Sequence, residues 1–152
     1  MKIAILCDTH CGIRNSSEVF LDNAEDFYTN IFFPECQKQG ITQILHLGDY
    51  YDHRKFVNFK ALNQNRRVFL DQLRKNNMMM DIIPGNHDTY YKNTNELNSL
   101  KECLGHYMNE IHIVMEPTVM QYGSLSMGLL PWICADNYDQ SMNFIRDCKA
   151  DW

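Results

Sequence analysis

The chain of 152 residues carries a formal net charge of −5, with 45% hydrophobic and 22% charged residues. This length supports one domain with a buried core, and the composition is ordinary for a globular protein. The apolar runs are far shorter than the roughly 20 residues of a membrane span, which argues against a membrane partner. The negative charge argues against a protein that holds nucleic acid by its overall field and leaves such binding to a local patch.

Residues 1–6 predict a first strand, because Asp8 and His10 follow them at once and leave no room for a signal peptide. The chain has 6 cysteines, and no two of them have Cys-x-x-Cys spacing. We therefore expect reduced thiols in a cytoplasmic protein.

Apolar runs at residues 2–7, 42–47 and 78–83 have the length of strands, and each ends in a turn that contains Gly or Asp. Residues 18–39 and 59–75 show the spacing of helices. The predicted apolar face of the first helix comprises Phe20, Ala24, Phe27 and Ile31, and that of the second comprises Leu62, Val68 or Phe69, and Leu73.

The alternation of strands and helices predicts an α/β fold with right-handed crossovers and a largely parallel sheet between helices. A third helix is predicted at residues 95–106 and a further strand at residues 111–115. Residues 118–121 and 124–130 predict a hairpin that continues this sheet. A last helix is predicted from residue 137 to residue 148.

Polar side chains follow each of the three predicted parallel strands, at the edge where the loops of an open α/β sheet converge. Asp8 and His10 follow the first strand and can address one point, because alternate residues of an extended segment point the same way. Gly48-Asp49-Tyr50-Tyr51-Asp52 follows the second strand, and Gly85-Asn86-His87-Asp88 follows the third. One such loop could be an ordinary turn, whereas three in this order indicate a site.

Carboxylate, imidazole and amide oxygen together suit manganese, iron, zinc or magnesium. One carboxylate able to bridge two ions would hold them about 3.5–4 Å apart, the separation found in two-metal phosphoryl chemistry. Such a pair of ions activates water and clamps the phosphate oxygens. The three loops therefore predict a two-metal phosphoesterase.

The segments Asp8-x-His10, Gly48-Asp49-x-x-Asp52 and Gly85-Asn86-His87-Asp88 resemble the motifs of the calcineurin-like metallophosphoesterase superfamily. Within it the chain is most similar to the SbcD-type DNA repair nucleases and the recombination endonuclease subunits of T-even-like phages. Supporting segments are His53-Arg54-Lys55, Tyr90-Tyr91-Lys92-Asn93 and Leu130-Pro131-Trp132-Ile133-Cys134.

The resemblance implies a metallophosphoesterase sandwich of mixed, largely parallel sheets flanked by helices. Residues 1–152 would form the N-terminal part of this domain and leave its C-terminal side incomplete. For a phage-encoded protein it implies the cytoplasm of the host cell.

The resemblance also implies four metal ligands. Asp8 and His10 would bind the first ion, Asp49 would bridge both ions, and Asn86 would bind the second. The cofactors would be two divalent ions, with manganese first and magnesium, iron or zinc as alternatives.

The implied catalytic residues are His87, Asp88 and Asp52. His87 would contact the scissile phosphate or protonate the leaving oxygen, and Asp88 would orient His87. Asp52 and His53 would lie near the DNA backbone, and the implied DNA-binding residues are His53, Arg54 and Lys55.

The implied partners are DNA, an SbcC-like ATPase subunit and a second copy of the chain. The dimer contact would be formed by helices near residues 59–73 and 97–104.

The chain departs from the family pattern in its later histidines. The family completes its metal shell with histidines in a Gly-His and a Gly-His-x-His segment, whereas the later histidines here are His106 and His112. We interpret Gly105-His106 as a helix end, not as the Gly-His segment. Four ligands shared by two ions leave both under-coordinated, so we expect a fragment or truncated product whose 152 residues bind metal poorly on their own.

Several residues near the motifs also have structural interpretations. We expect Cys7 to be a buried thiol, because it alternates with Asp8 along the strand. His46 and His112 are interpreted as sheet histidines, whereas for His53 a surface role and a DNA role are equally supported. Residues 54–75 form a basic stretch in an acidic chain, in which Arg54 and Lys55 are the stronger DNA contacts.

Three functions compete at this point. The leading hypothesis is a metal-dependent DNA nuclease subunit acting in recombination, repair or replication. A phosphatase or nucleotide phosphodiesterase of the same superfamily would use the same phosphoryl clamp. A non-catalytic dimerising fragment with a vestigial metal site is the third hypothesis.

Overall fold

A computed structural model describes residues 1–152. Four strands form a parallel sheet in the order β1-β2-β3-β4, with β1 at Ile3–Leu6, β2 at Gln43–His46, β3 at Met79–Ile82 and β4 at Ile111–Ile113. The parallel α/β fold predicted from the sequence is therefore confirmed. None of the helices combines the length and the hydrophobicity that a membrane crossing requires.

Two long helices connect the first three strands. Helix α1 covers residues 18–39 and contains a π-helical turn at Phe27–Phe32. Helix α2 covers residues 59–75 and contains a π-helical turn at Arg66–Leu70. Helix α1 ends at Gly40, whose left-handed φ of 66° suits a glycine. Both helices agree with the predicted bounds.

The predicted apolar face of α1 is wrong for three of its four residues, and only Ala24 packs against the main core. Phe20, Phe27 and Ile31 are exposed, whereas Tyr28 and Phe32 are buried with Phe69 of α2 in the main core. Helix α1 has apolar residues on two faces, so periodicity alone could not distinguish them. The face with the larger aromatic set packs on α2, where ring centroids of Tyr28 and Phe69 are 4.8 Å apart.

The later elements are shorter than predicted. Helix α3 occupies Ser99–Leu104 and is followed by a 3-10 turn at Gly105–Tyr107. Helix α4 occupies Tyr138–Asp147 after a 3-10 turn at Ala135–Asn137. Helix α3 begins after Asn98, whose side chain accepts a hydrogen bond from the backbone N–H of Lys101 at 3.0 Å.

The hairpin is formed by β5 at Thr118–Tyr122 and β6 at Leu125–Leu129, but it does not continue the parallel sheet as predicted. It is a separate two-stranded sheet. Its apolar residues pack on the second face of the parallel sheet, in a cluster of Leu45, Ile83, Val114, Tyr122, Met127 and Leu129. Burial of that face explains why the hairpin lies across the sheet and not beside it.

A polar contact fastens the hairpin to the sheet. Asp81 in β3 accepts hydrogen bonds from Tyr122 Oη at 2.8 Å and from Gln43 Nε2 at 2.8 Å. His112 Nδ1 lies 3.0 Å from the other oxygen of Asp81. The sheet thus has helices on one face and the hairpin on the other, and the loops after β1, β2 and β3 meet at its carboxyl edge.

Candidate metal centre

The loops after β1 and β2 remain hydrogen-bonded to each other beyond the strands. The N–H of Asp8 donates to Gly48 O at 3.1 Å, and that of His10 donates to Asp49 O at 3.0 Å. Asp8, His10 and Asp49 all have left-handed backbones, with φ of 51°, 42° and 52°. Non-glycine residues rarely adopt this conformation, and such strain concentrates at functional sites.

Two glycines let the second and third loops approach each other. A Cβ on Gly48 would lie 2.6 Å from the nitrogen of Gly85, and a Cβ on Gly85 would lie 2.2 Å from Asp49 Oδ1. Only residues without side chains fit at these contacts. The position of the Asp49 carboxylate therefore depends directly on the third loop.

Asp8, His10 and Asp49 form one compact group whose ligand atoms lie within 4.8 Å of one another. His10 Nε2 is 3.6 Å from Asp8 Oδ1 and 3.9 Å from Asp49 Oδ2. No lysine or arginine forms an ion pair with either carboxylate. Clustered acids and an imidazole without a compensating cation are the donor set of a divalent metal, so these residues fit a metal ion.

A second group joins His10, Asp52 and His87. Asp52 Oδ1 lies 3.3 Å from His10 Nδ1, although that buried nitrogen has no well-aligned hydrogen bond. The rings of His10 and His87 meet edge to face with centroids 4.8 Å apart. His10 therefore faces the Asp8 and Asp49 carboxylates with one nitrogen and Asp52 with the other.

His87 is held by backbone groups. Its Nδ1 lies 2.6 Å from the carbonyl oxygen of Asp52, which can only accept, so Nδ1 carries the proton. Its backbone N–H donates to Asp49 Oδ1 at 2.8 Å. The Nε2 atom of His87 takes no part in that hydrogen bond.

Asp88 does not make the expected contact with His87. Its fully buried carboxylate accepts from the N–H groups of Tyr50 at 3.0 Å, Tyr51 at 3.1 Å and Gly85 at 2.9 Å. Burial raises its pKa to about 6 despite these donors. Asp88 ties the second loop to the third, and the Asp52 carbonyl takes the place beside His87 that the sequence assigned to Asp88.

Asn86 lies in the third loop between Gly85 and His87, and it is half-buried. Its backbone carbonyl accepts a hydrogen bond from Thr89 Oγ1 at 3.3 Å. Its role as a metal ligand stays a prediction. His106 lies in the turn after α3 and His112 pairs with Asp81, so neither later histidine joins the two groups.

The residues after Asp52 line the rim of the site. Arg54 donates to Thr89 Oγ1 at 3.3 Å, and its guanidinium lies over Trp132, 5.1 Å from the ring centroid. The ammonium of Lys55 lies over the ring of Tyr90 at 5.6 Å. These aromatic contacts hold both cations without an acidic partner.

The rest of the basic stretch is largely neutralised. Arg67 forms a two-pronged pair with Glu25 at 2.7 and 2.6 Å. Arg74 pairs with Glu110 at 2.7 Å, and Lys60 pairs with Glu18. Arg54 and Lys55, the cations of this stretch that directly follow a metal loop, form no ion pair.

Cys7 is exposed, so the expectation of a buried thiol is wrong. Its Sγ donates to Asp8 Oδ2 at 2.7 Å. The strand ends at Leu6, and the left-handed turn at Asp8 breaks the alternation on which the expectation depended. Cys11 is partly buried and its Sγ lies 3.7 Å from Ala61 O, outside both metal groups.

His46 is a fully buried histidine of β2, as predicted. Its Nδ1 accepts from the N–H of Gly48 at 3.2 Å, and Nε2 lies 3.0 Å from Thr9 Oγ1. Burial lowers its pKa to about 4, so it is neutral at physiological pH. His46 and Thr9 thus support both metal loops, a function that the sequence did not indicate.

Trp132 is a second supporting residue that sequence reasoning did not assign to the site. Its backbone N–H donates to Pro84 O at 2.9 Å, and its backbone carbonyl accepts from Asn95 Nδ2 at 2.8 Å. These contacts join segments more than thirty residues apart. The only signal in the sequence was the Leu130–Cys134 segment noted for its family likeness.

A family model described as calcineurin-like phosphoesterase matches residues 1–147. The chain is 28% identical to exonuclease subunit 1 of Enterobacteria phage T4 over all 152 residues, and it spans 44% of that relative's length. A solved structure, the nuclease MPE of Pseudomonas putida, aligns with 87% of this chain and 59% of its own at a TM-score of 0.51 and 19% identity. This last likeness concerns the fold.

Proposed function

The chain belongs to the calcineurin-like phosphoesterase family, and on that premise we propose that it is part of a metal-dependent DNA nuclease subunit that hydrolyses phosphodiesters. The observation that carries the proposal is the convergence of Asp8, His10 and Asp49 within 4.8 Å, beside His87 and a cationic rim. The similar phage T4 protein is named an exonuclease subunit, which supports DNA as substrate.

The proposed ligands are Asp8, His10, Asp49 and Asn86, holding two divalent ions of which manganese is the first choice. Bound ions would supply Lewis-acid charge at the phosphate and lower the pKa of water. Asp49 is suited to bridge because its Oδ2 faces His10 while Oδ1 is fixed by the N–H of His87.

His87 is proposed to donate the proton to the leaving oxygen. Its Nδ1–H is held by the Asp52 carbonyl, so Nε2 is the nitrogen proposed to deliver the proton. Asp52 is proposed to position both histidines. Its carbonyl holds the His87 ring, and its carboxylate lies 3.3 Å from His10 Nδ1. His53, Arg54 and Lys55 are proposed to contact the DNA backbone.

We also propose two protein partners. The word subunit in the name of the phage T4 relative supports an assembly, for which an SbcC-like ATPase is the proposed partner. A homodimer is proposed through helices near residues 59–73 and 97–104, where Phe59 is 86% exposed.

Cleavage of linear and hairpin DNA by the full-length protein with manganese tests the nuclease proposal. Asp49→Ala should lower the rate at least about 100-fold, because it removes the bridging carboxylate and several kcal/mol of transition-state stabilisation. Asp139→Ala, which removes an exposed acid from α4, is the matched control and should cleave at the wild-type rate.

Equal cleavage by wild type and Asp49→Ala, or none by either, would sink the nuclease proposal. A small aryl phosphodiester assayed in parallel separates the rival function. Faster turnover of that ester than of DNA would favour a small-molecule phosphodiesterase.

A further inference from the structure

An aromatic and cationic strip of exposed and half-buried residues borders the metal loops. We define the aromatic rim as Phe56, Tyr90 and Tyr91 together with Arg54 and Lys55. These residues follow the second and third metal loops directly, at two to four positions beyond Asp52 and Asp88. Phe56, Tyr90, Arg54 and Lys55 also line one groove of about 280 Å³.

Two of the three rings of the rim are exposed to solvent, and Tyr90 is half-buried. Phe56 is 60% exposed and Tyr91 is 51% exposed. The imidazole of His53 stacks on Phe56 with centroids 4.4 Å apart and planes at 24°, while Tyr90 and Tyr91 meet edge to face at 4.7 Å. Large exposed apolar groups gathered at one place mark interaction sites.

The cations of the rim are positioned but not neutralised. Arg54 lies over Trp132 and Lys55 over Tyr90, and neither forms an ion pair, whereas Lys60, Arg67 and Arg74 all do. In a chain of net charge −5, two uncommitted cations beside a cluster of acids are a local anion-binding feature. Cations beside flat rings suit a nucleic-acid strand, because its phosphates can contact the cations and its exposed base faces can stack on the rings.

We propose that the aromatic rim binds unpaired nucleotides, so that a single-stranded segment of DNA, and not an intact duplex, enters the metal loops. A duplex hides the faces of its bases, whereas a single strand offers them to aromatic side chains. The proposal deepens the proposed nuclease function by naming the form of its substrate, and in that sense it rests on it.

Binding measured without metal separates this proposal from catalysis. Fluorescence anisotropy in EDTA would use a labelled oligothymidine of about 12 nucleotides and a duplex of equal length, since single-strand sites span about 4–16 nucleotides. The wild-type protein should bind the single strand more tightly. Phe56→Ala combined with Tyr91→Ala should weaken single-strand binding by about tenfold or more and leave duplex binding within about twofold.

Two control variants test whether the effect on binding comes from misfolding or from the loss of any exposed aromatic side chain. Phe56→Trp keeps a stacking face and should retain wild-type single-strand affinity. Phe20→Ala removes an exposed phenylalanine of α1 that lines a different cavity, and it should change neither affinity. Arg54→Ala should weaken the binding of both single-stranded and duplex DNA, because both carry phosphates.

The proposal is overturned if the double variant binds the single strand as well as wild type does. It is also overturned if that variant loses dimerisation in sedimentation while its DNA affinity is unchanged, because the rim would then be a contact between copies. Single-strand binding without any DNA cleavage would leave the rim intact and reject the nuclease function. Cleavage with no effect of the rim variants would do the reverse.

Discussion

Asp49 is the residue on which the metal loops converge. Its backbone carbonyl accepts from the first loop, one carboxylate oxygen faces His10, and the other accepts from the N–H of His87 in the third loop. Because Gly85 lies against the same carboxylate, a small shift of the third loop would move a bridging ligand. A displacement of about 1 Å at such a position can be costly for catalysis.

Gly85→Ala tests this coupling. The added Cβ would meet Asp49 Oδ1 at 2.2 Å and the Asp49 nitrogen at 2.4 Å, so loop or carboxylate must move. We expect the free energy of unfolding to fall by about 1–3 kcal/mol, as in other overpacked sites, and the affinity for manganese to fall by about tenfold or more. Urea unfolding and calorimetric titration measure the two effects.

Gly105→Ala is the matched control for the glycine substitution. Gly105 has a helical backbone and open space around its Cβ position, so alanine should leave manganese binding unchanged and stability equal or slightly higher. Wild-type manganese affinity in Gly85→Ala would contradict the dependence of Asp49 on the third loop.

At the scale of elements, β2 ends in a buried histidine, His46, next to the metal loops. His46 has hydrogen-bonding contacts with the N–H of Gly48 and with the hydroxyl of Thr9, so it joins the loops after β2 and β1. Both contacts suit the neutral ring, with the proton on Nε2. The lowered pKa of His46 makes this junction sensitive to acid.

We expect His46 to make the protein less stable as the pH falls from 6.5 to about 4. Over this window the unfolded chain binds a proton at His46 that the folded chain excludes, so the His46 contribution to stability is full above pH 6.5 and is lost as acid is added. Asp88, whose pKa is raised to about 6 by burial, contributes in the opposite sense, so the His46 effect is read from the difference between wild type and a His46 variant. A shift of this size corresponds to about 3 kcal/mol. The measurement is the free energy of urea unfolding in EDTA across that pH range.

His46→Asn should remove this loss of stability in acid, relative to wild type, while retaining an acceptor for the Gly48 N–H. His106→Asn, which removes an exposed histidine, should leave the slope as in wild type. Parallel profiles for wild type and His46→Asn would refute the assignment of the acid sensitivity to His46.

At the scale of the molecule, exposed apolar residues lie on two adjoining surfaces. Phe59 begins α2 and shares one groove with Phe56 and Tyr90 of the aromatic rim, and it also borders a second groove with Leu62 and Cys103. Phe59 is 86% exposed, an unusual state for a phenylalanine in a protein without a partner. The second groove, which no residue of the aromatic rim lines, is assigned to a copy of the chain.

Phe59→Glu tests the homodimer. A buried, unpaired carboxylate at a contact between copies should raise the dissociation constant by about 100-fold. Sedimentation velocity over a concentration series should show monomers where the wild-type protein forms dimers. Ile31→Glu, at an apolar position 56% exposed on α1, should sediment as wild type does. Monomeric wild-type protein at all concentrations would reject the dimer.

Much of the fold followed from local pattern. The structure contains most of the predicted elements. These are the three strands that precede the metal loops, the hairpin, and the helices at residues 18–39 and 59–75. The buried face of α1 and the place of the hairpin did not follow. Both depend on which apolar surface remains uncovered after the sheet forms, and a one-dimensional pattern does not contain that information.

The sequence by itself determined which residues could be ligands, because Asp8, His10 and Asp49 follow strands whose carboxyl ends must share one edge. Only the tertiary structure decided what each neighbour does. In the folded chain the Asp88 carboxylate accepts hydrogen bonds from three backbone N–H groups, and the Asp52 carbonyl lies beside His87. Hydrogen bonds at 3 Å depend on how loops from distant segments pack, and that packing requires Gly48 and Gly85 to meet backbone to backbone.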